Sequence, residues 1–173
     1  MPGSGKSTIV SALKNRGFEA LNLGDGVRAE AKRRNLEPTG ENLGKLMLEL
    51  REKNGPGAIA ELLIEPIKNS QSKVIIIDGV RSTAEIEVLK NVGSVKLLSI
   101  EATADTRYKF LSSRGRSDDP TTREKFEERD NRELGVGIGE SIAIADETIS
   151  NSGISLDELT ELANKAIEKW IET

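Results

Sequence analysis

Seven residues near the start of the chain, Pro2-Gly3-Ser4-Gly5-Lys6-Ser7-Thr8, have the types and spacing to hold a polyphosphate. They complete most of the pattern G-x-x-x-x-G-K-[ST], in which a glycine-rich turn opens a helix. Glycines let successive backbone N–H groups turn inward around a phosphate, and the following helix adds its own N-terminal donors. In this reading Gly3, Ser4, Gly5 and Thr8 line the phosphates of ATP. Lys6 reaches the β- and γ-phosphates and the Ser7 hydroxyl ligates Mg²⁺. The first glycine of the full pattern would precede Met1, as would the strand that feeds such a loop. The expectation is therefore a natural chain that begins roughly ten residues earlier, about one strand length.

A second chemical group ends the clearest strand. Lys73 to Asp78 reads Lys-Val-Ile-Ile-Ile-Asp, a continuous β-branched run of the kind buried on both faces of a parallel sheet. Asp78 looks like a Walker B carboxylate, placed to hold Mg²⁺ opposite Ser7. Arg28 follows Gly24-Asp25, and Arg81 follows Asp78 by three residues. Both sit at helix starts, where the dipole disfavours a cation, so an anionic acceptor is the better account of them. Asp25 fits two roles equally: orienting or deprotonating an acceptor, or capping its helix. Arg114 and Arg116 flank Gly115 in a loop between two charged helices, with the reach to close over a transferring phosphoryl group. The other charges between Thr103 and Gly135, Arg123 and Arg129 among them, read as a solvated face.

The elements that must position these residues follow from the pattern. Helices are expected from Ser7 to Arg16, Val27 to Arg34, Thr39 to Asn54, Pro56 to about Ser70, Ser82 to about Asn91 and Thr103 to Ser113. Ser82-x-x-Glu85, Thr121-x-x-Glu124 and Ser155-x-x-Glu158 read as capping boxes. Strands are expected at Phe18–Leu23, Lys73–Asp78, Val95–Ile100 and Glu147–Ser150. The last helix carries a stripe of Leu156, Leu159, Leu162, Ala163, Ala166 and Trp170, read as core packing. Strands alternating with helices give an α/β fold, a parallel sheet covered by helices on both faces. Ligands bind at the carboxyl ends of such strands, where the phosphate loop, Asp25 and Asp78 all fall.

Composition narrows the chemistry. The chain has 173 residues, a formal net charge of −4, no Cys and no His. Thiol and imidazole catalysis are excluded, whereas phosphoryl transfer works mainly by positioning and charge stabilisation. Aromatics are 3%, too few for base-stacking platforms, and there is no basic footprint for nucleic acid. No signal peptide or long apolar run is present, so a cytoplasmic protein without membrane contact is expected.

With these residues in hand, the chain resembles the nucleoside-monophosphate-kinase-like branch of P-loop proteins along nearly its whole length. Gly24-Asp25-x-x-Arg28 is similar to the acceptor-phosphate segment of adenylate kinases. Ala145-Asp146-x-x-Ile149-x-Asn151, followed by Gly153 and a helix, resembles the C-terminal segment of dephospho-CoA kinases. By that resemblance Asn151 and Gly153 line an adenine pocket. Together with Glu37-Pro-Thr-Gly-Glu-Asn42 and Asp78-Gly-Val-Arg-Ser82, the pattern looks most like a largely archaeal, kinase-like family. The resemblance implies a single P-loop domain over residues 1–173, with a helical acceptor-binding insertion at about 25–70 and a lid at about 103–135. It implies an ATP- and Mg²⁺-dependent phosphotransferase acting on a small-molecule acceptor of the nucleotide or CoA-precursor class. The alternative is an ATP-binding switch or ATPase that works with a protein or RNA partner. Adenylate kinases carry a proline between the Asp and Arg of the Asp78–Arg81 motif, where this chain has Gly79-Val80. That departure points away from AMP as acceptor.

Overall fold

The computed structural model describes residues 1–115 and 119–172. The chain separates into two compact units, one formed by Met1–Gly17 with Lys96–Thr173 and the other by Phe18–Val95.

The first unit opens with α1 (Lys6–Asn15), whose N-cap is Gly5, and which buries Ile9 and Leu13. Its two strands, β3 (Leu98–Glu101) and β4 (Glu147–Ser150), pair in parallel from Leu98↔Glu147 to Glu101↔Ser150. Between them run α7 (Ala104–Arg114), α8 (Arg123–Val136) and α9 (Ile138–Ala143). Thr103 caps α7 through the Thr106 N–H. The cap of α8 is Thr122, accepting from Lys125, one residue later than the Thr121 box suggests. Helix α8 continues through Gly135, and the chain turns at Gly137. The unit ends with α10 (Leu156–Ile171), which has the full capping box of Ser155 and Glu158 and packs against α1. Its buried face is Leu159, Ala163, Ala166 and Ile167, whereas Leu156 and Leu162 are exposed. The apolar stripe is therefore narrower than its sequence pattern.

The second unit begins with β1 (Glu19–Asn22), parallel to β2 (Ile75–Asp78) in the register Glu19↔Ile75 to Asn22↔Asp78. Helix α2 (Leu23–Arg33) follows β1 directly, because Asn22 caps it by accepting the Asp25 N–H. Gly24-Asp25-Gly26 is thus the first turn of the helix, not a turn ahead of it. Gly26 allows close approach: a Cβ there would meet Leu62 and Leu63 at 3.3 Å. Helix α3 (Gly40–Asn54) has Thr39 as its cap. The single helix expected over Pro56–Ser70 is two short ones, α4 (Ala58–Glu61) and α5 (Ile64–Asn69). Pro66 explains the break. It has no N–H to donate to the Leu62 carbonyl, so it is tolerated only in the first turn of a new helix. After β2 comes α6 (Thr83–Lys90), capped by Ser82. A core of Leu23, Val27, Ala31, Leu46, Leu50, Ile59, Leu63 and Leu89 fills this unit.

Among the described residues the strands pair in parallel within each unit, β3 with β4 in the first and β1 with β2 in the second. No helix of the described residues is long and apolar enough to cross a membrane.

Candidate functional site

In the first unit the phosphate-loop residues form a turn with two left-handed glycines, Gly3 at φ +78° and Gly5 at φ +102°. Both face close neighbours. A Cβ on Gly3 would lie 2.7 Å from the Arg107 carbonyl oxygen, and one on Gly5 would lie 2.6 Å from Asn151 Nδ2. Side chains are excluded there by space as well as by backbone conformation. Ser4, between them, is fully buried. Among the described residues, the N–H groups of Gly3, Ser4, Gly5 and Ser7 have no protein hydrogen-bond acceptor. Of these residues only Ser4 is buried, and an anion with several oxygens would satisfy such a set of donors. Lys6 Nζ donates to the Met1 carbonyl at 2.6 Å and to Ser4 Oγ at 3.3 Å, so its ammonium is folded back over the loop.

Two side chains hold this loop from outside. Arg107, buried on α7, donates from NH1 to the Pro2 carbonyl at 3.2 Å. Its guanidinium grips Asp130 of α8 with two bonds, at 2.8 and 2.5 Å, and lies 4.9 Å from the centre of the Phe126 ring. Asn151, one residue past β4, donates from Nδ2 to the Ser4 carbonyl at 3.0 Å, while its own N–H bonds the Glu101 carbonyl at 2.7 Å. Sequence reasoning missed Arg107 and Asp130, because a charged helix in a charge-balanced segment reads as solvated. Only the alternation of Arg107 with the buried Leu111, one helical turn on, hints that this face points inward.

Arg114 is the last residue of α7, not a loop residue, and is paired with Asp119, which Arg129 also approaches at 4.0 Å. Arg116 lies outside the described residues. Gly153 has φ +78° with open space around it. Thr8 sits in the first turn of α1 and donates its N–H to the Gly5 carbonyl.

The remaining candidates belong to the second unit. Asp78 ends β2 and accepts a 3.0 Å bond from Asn22 Nδ2, its register partner on β1. The Asn22 Oδ1 accepts the Asp25 N–H at 3.2 Å, so one amide joins the carboxylate to the start of α2. Asp25 and Arg28 pair at 2.7 Å, both exposed. The N–H of Arg81 is held at 2.7 Å by the buried Glu85, which also takes Arg51 of α3 at 3.3 Å. Glu85 does not return to the Ser82 N–H as a full capping box would; only the Ser82 half of the box is formed. A cavity of about 380 Å³ opens between β1, α2 and the Leu62–Pro66 segment, with Asn22 and Asp25 on its wall. Arg28 and Arg81 are not among its lining residues.

Among the described residues no cluster of three or more His, Cys, Asp or Glu side chains stands ready for a metal.

Comparison with known proteins gives the family and the fold. The family model described as an AAA domain matches residues 1–127. A UPF0200 protein of Hyperthermus butylicus is 40% identical over 169 residues, covering 98% of this chain and 90% of its own length. The chain belongs to the UPF0200 family. A second UPF0200 protein, from Pyrococcus abyssi, is 42% identical over 156 residues, 87% of this chain and 83% of its own. Two solved structures share the fold of this UPF0200 chain at low identity. TT1252 from Thermus thermophilus superposes with a TM-score of 0.71 at 20% identity, over 97% of this chain and 92% of that one. Shikimate kinase from Bacteroides thetaiotaomicron gives 0.64 at 14% identity, over 96% and 93%. The UPF0200 chain therefore has an α/β P-loop, kinase-like fold with parallel strands.

Proposed function

We propose that this protein is a small-molecule kinase that transfers the γ-phosphoryl group of ATP to an acceptor of the nucleotide or CoA-precursor class. The observation that carries the reading is the set of loop amides on Gly3, Ser4, Gly5 and Ser7 that have no acceptor among the described residues, with the Lys6 ammonium beside them. A polyphosphate would accept from those amides and draw Lys6 from the Met1 carbonyl and Ser4. The motif pattern assigns Mg²⁺ to the Ser7 hydroxyl and the Asp78 carboxylate, each described in its own unit. When bound, the ion neutralises charge that develops on the β- and γ-oxygens.

In the reaction an acceptor oxygen attacks the γ-phosphorus, the bond from γ-phosphorus to the bridging oxygen breaks, and ADP leaves with that electron pair; where the acceptor is a hydroxyl, its proton passes to water. Lys6 follows the charge onto the transferring group and the leaving oxygen. Arg114, at the end of α7, is a second cation for the transferring group. Arg28 and Arg81 orient an acceptor phosphate, and Asp25, already hydrogen-bonded to Arg28, sets the direction of that guanidinium.

The test is ADP release from ATP and Mg²⁺ over a panel of acceptors: AMP, CMP, UMP, GMP, the deoxynucleoside monophosphates and dephospho-CoA. One acceptor is expected to raise ADP release well above background, and Lys6→Ala to lower that rate by about a hundredfold or more. ADP release indifferent to every acceptor would refute the kinase reading in favour of an ATPase or switch. A Lys6→Ala protein of unchanged turnover would refute the site.

A further inference from the structure

We propose that Arg107, locked by Asp130, is a positioning residue that presets the phosphate loop for a polyphosphate, and that Asn151 does the same two peptide groups further on. The proposal rests on the reading of that loop as a polyphosphate site and adds what keeps it open before the ligand arrives.

The argument starts from peptide geometry. No cis peptide bond is present in the described residues, so the C=O of each loop peptide points opposite to the N–H of the next residue. Arg107 NH1 fixes the Pro2 carbonyl on the α7 side of the loop. The Gly3 N–H, in the same peptide plane, is thereby turned away from α7. Asn151 Nδ2 fixes the Ser4 carbonyl on the β4 side, which turns the Gly5 N–H away from Asn151. Among the described residues, the partner amides of both outward-pinned carbonyls have no acceptor. A free glycine-rich turn would sample flipped peptides, each presenting an oxygen to the phosphate instead of a donor.

Arg107 can do this only if its own direction is fixed. Its side chain is 7% exposed, and Asp130 takes both of its forward donors in a fork. Phe126, itself buried, backs the guanidinium plane. The main chain of Arg107 also abuts Gly3. Residue 107 thus holds the Pro2–Gly3 peptide by its side chain and limits it by its backbone. Asp130 both aims Arg107 and cancels its charge, so the loop is shaped by a neutral pair.

That last point gives the discriminating experiment. Binding of inorganic tripolyphosphate to the full chain is measured by calorimetry, with circular dichroism and Tm on each variant. Asp130→Asn leaves the positive charge of Arg107 beside the loop but removes the carboxylate that aims it. If Arg107 acted by charge alone, Asp130→Asn would bind tripolyphosphate as well as wild type or better. The positioning role expects binding about fivefold weaker or more. Arg107→Gln is expected to lose about tenfold or more, and Arg107→Lys, which keeps a charged donor, to recover part of it. Ser155→Ala, which removes the cap of α10 in the same unit, lowers Tm and is expected to leave tripolyphosphate affinity unchanged. A folded Asp130→Asn or Arg107→Gln protein with wild-type affinity would overturn the proposal while leaving the kinase reading intact. A wild-type chain that binds no tripolyphosphate would overturn both, whereas acceptor-dependent ADP release tests the kinase reading alone.

Discussion

Asn22 and Asp78 are register partners at the carboxyl ends of two parallel strands, joined by a 3.0 Å bond from Asn22 Nδ2 to Asp78 Oδ2. The other end of the same amide caps α2. One side chain therefore serves the Asp78 carboxylate and the helix that carries Asp25 and Arg28. Asn22→Ala is expected to cost about 1 kcal/mol through the lost cap, read from urea unfolding. Asn22→Asp keeps a capping oxygen but replaces the donor by a second carboxylate facing Asp78. It is expected to lose further stability through repulsion between the two carboxylates, and to need less Mg²⁺ for half-maximal ADP release because the added carboxylate raises the negative charge beside the ion. Equal Mg²⁺ dependence in Asn22→Asp and wild type would detach Asp78 from the metal.

Glu85 is 1% exposed and satisfies two groups at once, the Arg51 guanidinium and the Arg81 N–H. Removing a buried partner leaves the other groups desolvated and unpaired. Glu85→Ala is expected to destabilise by about 3 kcal/mol. Glu85→Gln retains an acceptor for the Arg81 N–H, so its loss is expected to be clearly smaller. Chemical denaturation of both variants checks the order, and equal losses would show that the charge of Glu85 matters and its hydrogen bond to the loop does not.

Acid stability has a local origin in α2. The Glu30 carboxyl is held down to about 2 from its ordinary 4.5, first by hydrogen bonding from Arg33 and, against the opposing effect of burial, also by Arg34. Its side chain is 11% exposed, and Arg34 continues the network to Glu49 on α3. The unfolded chain takes up the Glu30 proton at higher pH than the folded chain. The contribution is therefore complete above about pH 4.5 and is lost as pH falls toward about 2. Wild type is expected to be more stable than Glu30→Gln near neutrality, and the gap to narrow across that interval. A gap that stays constant with pH would remove Glu30 as its cause.

Gly5 has no room for a methyl group. Its φ of +102° disfavours an L side chain, and the new Cβ would meet Asn151 Nδ2 at 2.6 Å and Leu159 Cδ2 at 3.1 Å. Gly5→Ala is expected to lose about 1–2 kcal/mol for the backbone alone, with a further loss from displacing the bond that Asn151 makes to Ser4. Tm and tripolyphosphate affinity should fall together. Retained affinity in a destabilised Gly5→Ala protein would show that the Asn151 contact is not needed to shape the loop.

The chain by itself determined the features whose causes lie within about one helical turn or one strand. Thr39, Thr103 and Ser155 cap their helices as their spacing requires, and the β-branched run before Asp78 is a strand. The Gly-Ser-Gly-Lys-Ser turn opens α1, and the P-loop family was legible from it. Local ambiguity remained where neighbours of one type compete, as with Thr121 and Thr122, or where the break is decided by a proline further on, as with Pro66 in α5.

Tertiary structure decided what braces the site. Arg107 and Asp130 belong to helices whose charges are otherwise mostly solvated, and beyond the Arg107–Leu111 spacing nothing in the pattern separates them from Arg123 or Glu127. Arg107 is buried and Asp130 half-buried because folding brings Pro2, Phe126 and Asp130 around the guanidinium. Asn151 holds the Ser4 carbonyl across nearly the whole length of the chain, and Asn22 meets Asp78 only through the β1–β2 register. The physical reason is the same in each case. A cap or a strand is stabilised by groups a few residues away, which sequence spacing fixes. A buried polar side chain is stable only beside partners that satisfy it, and those partners come from segments distant in sequence.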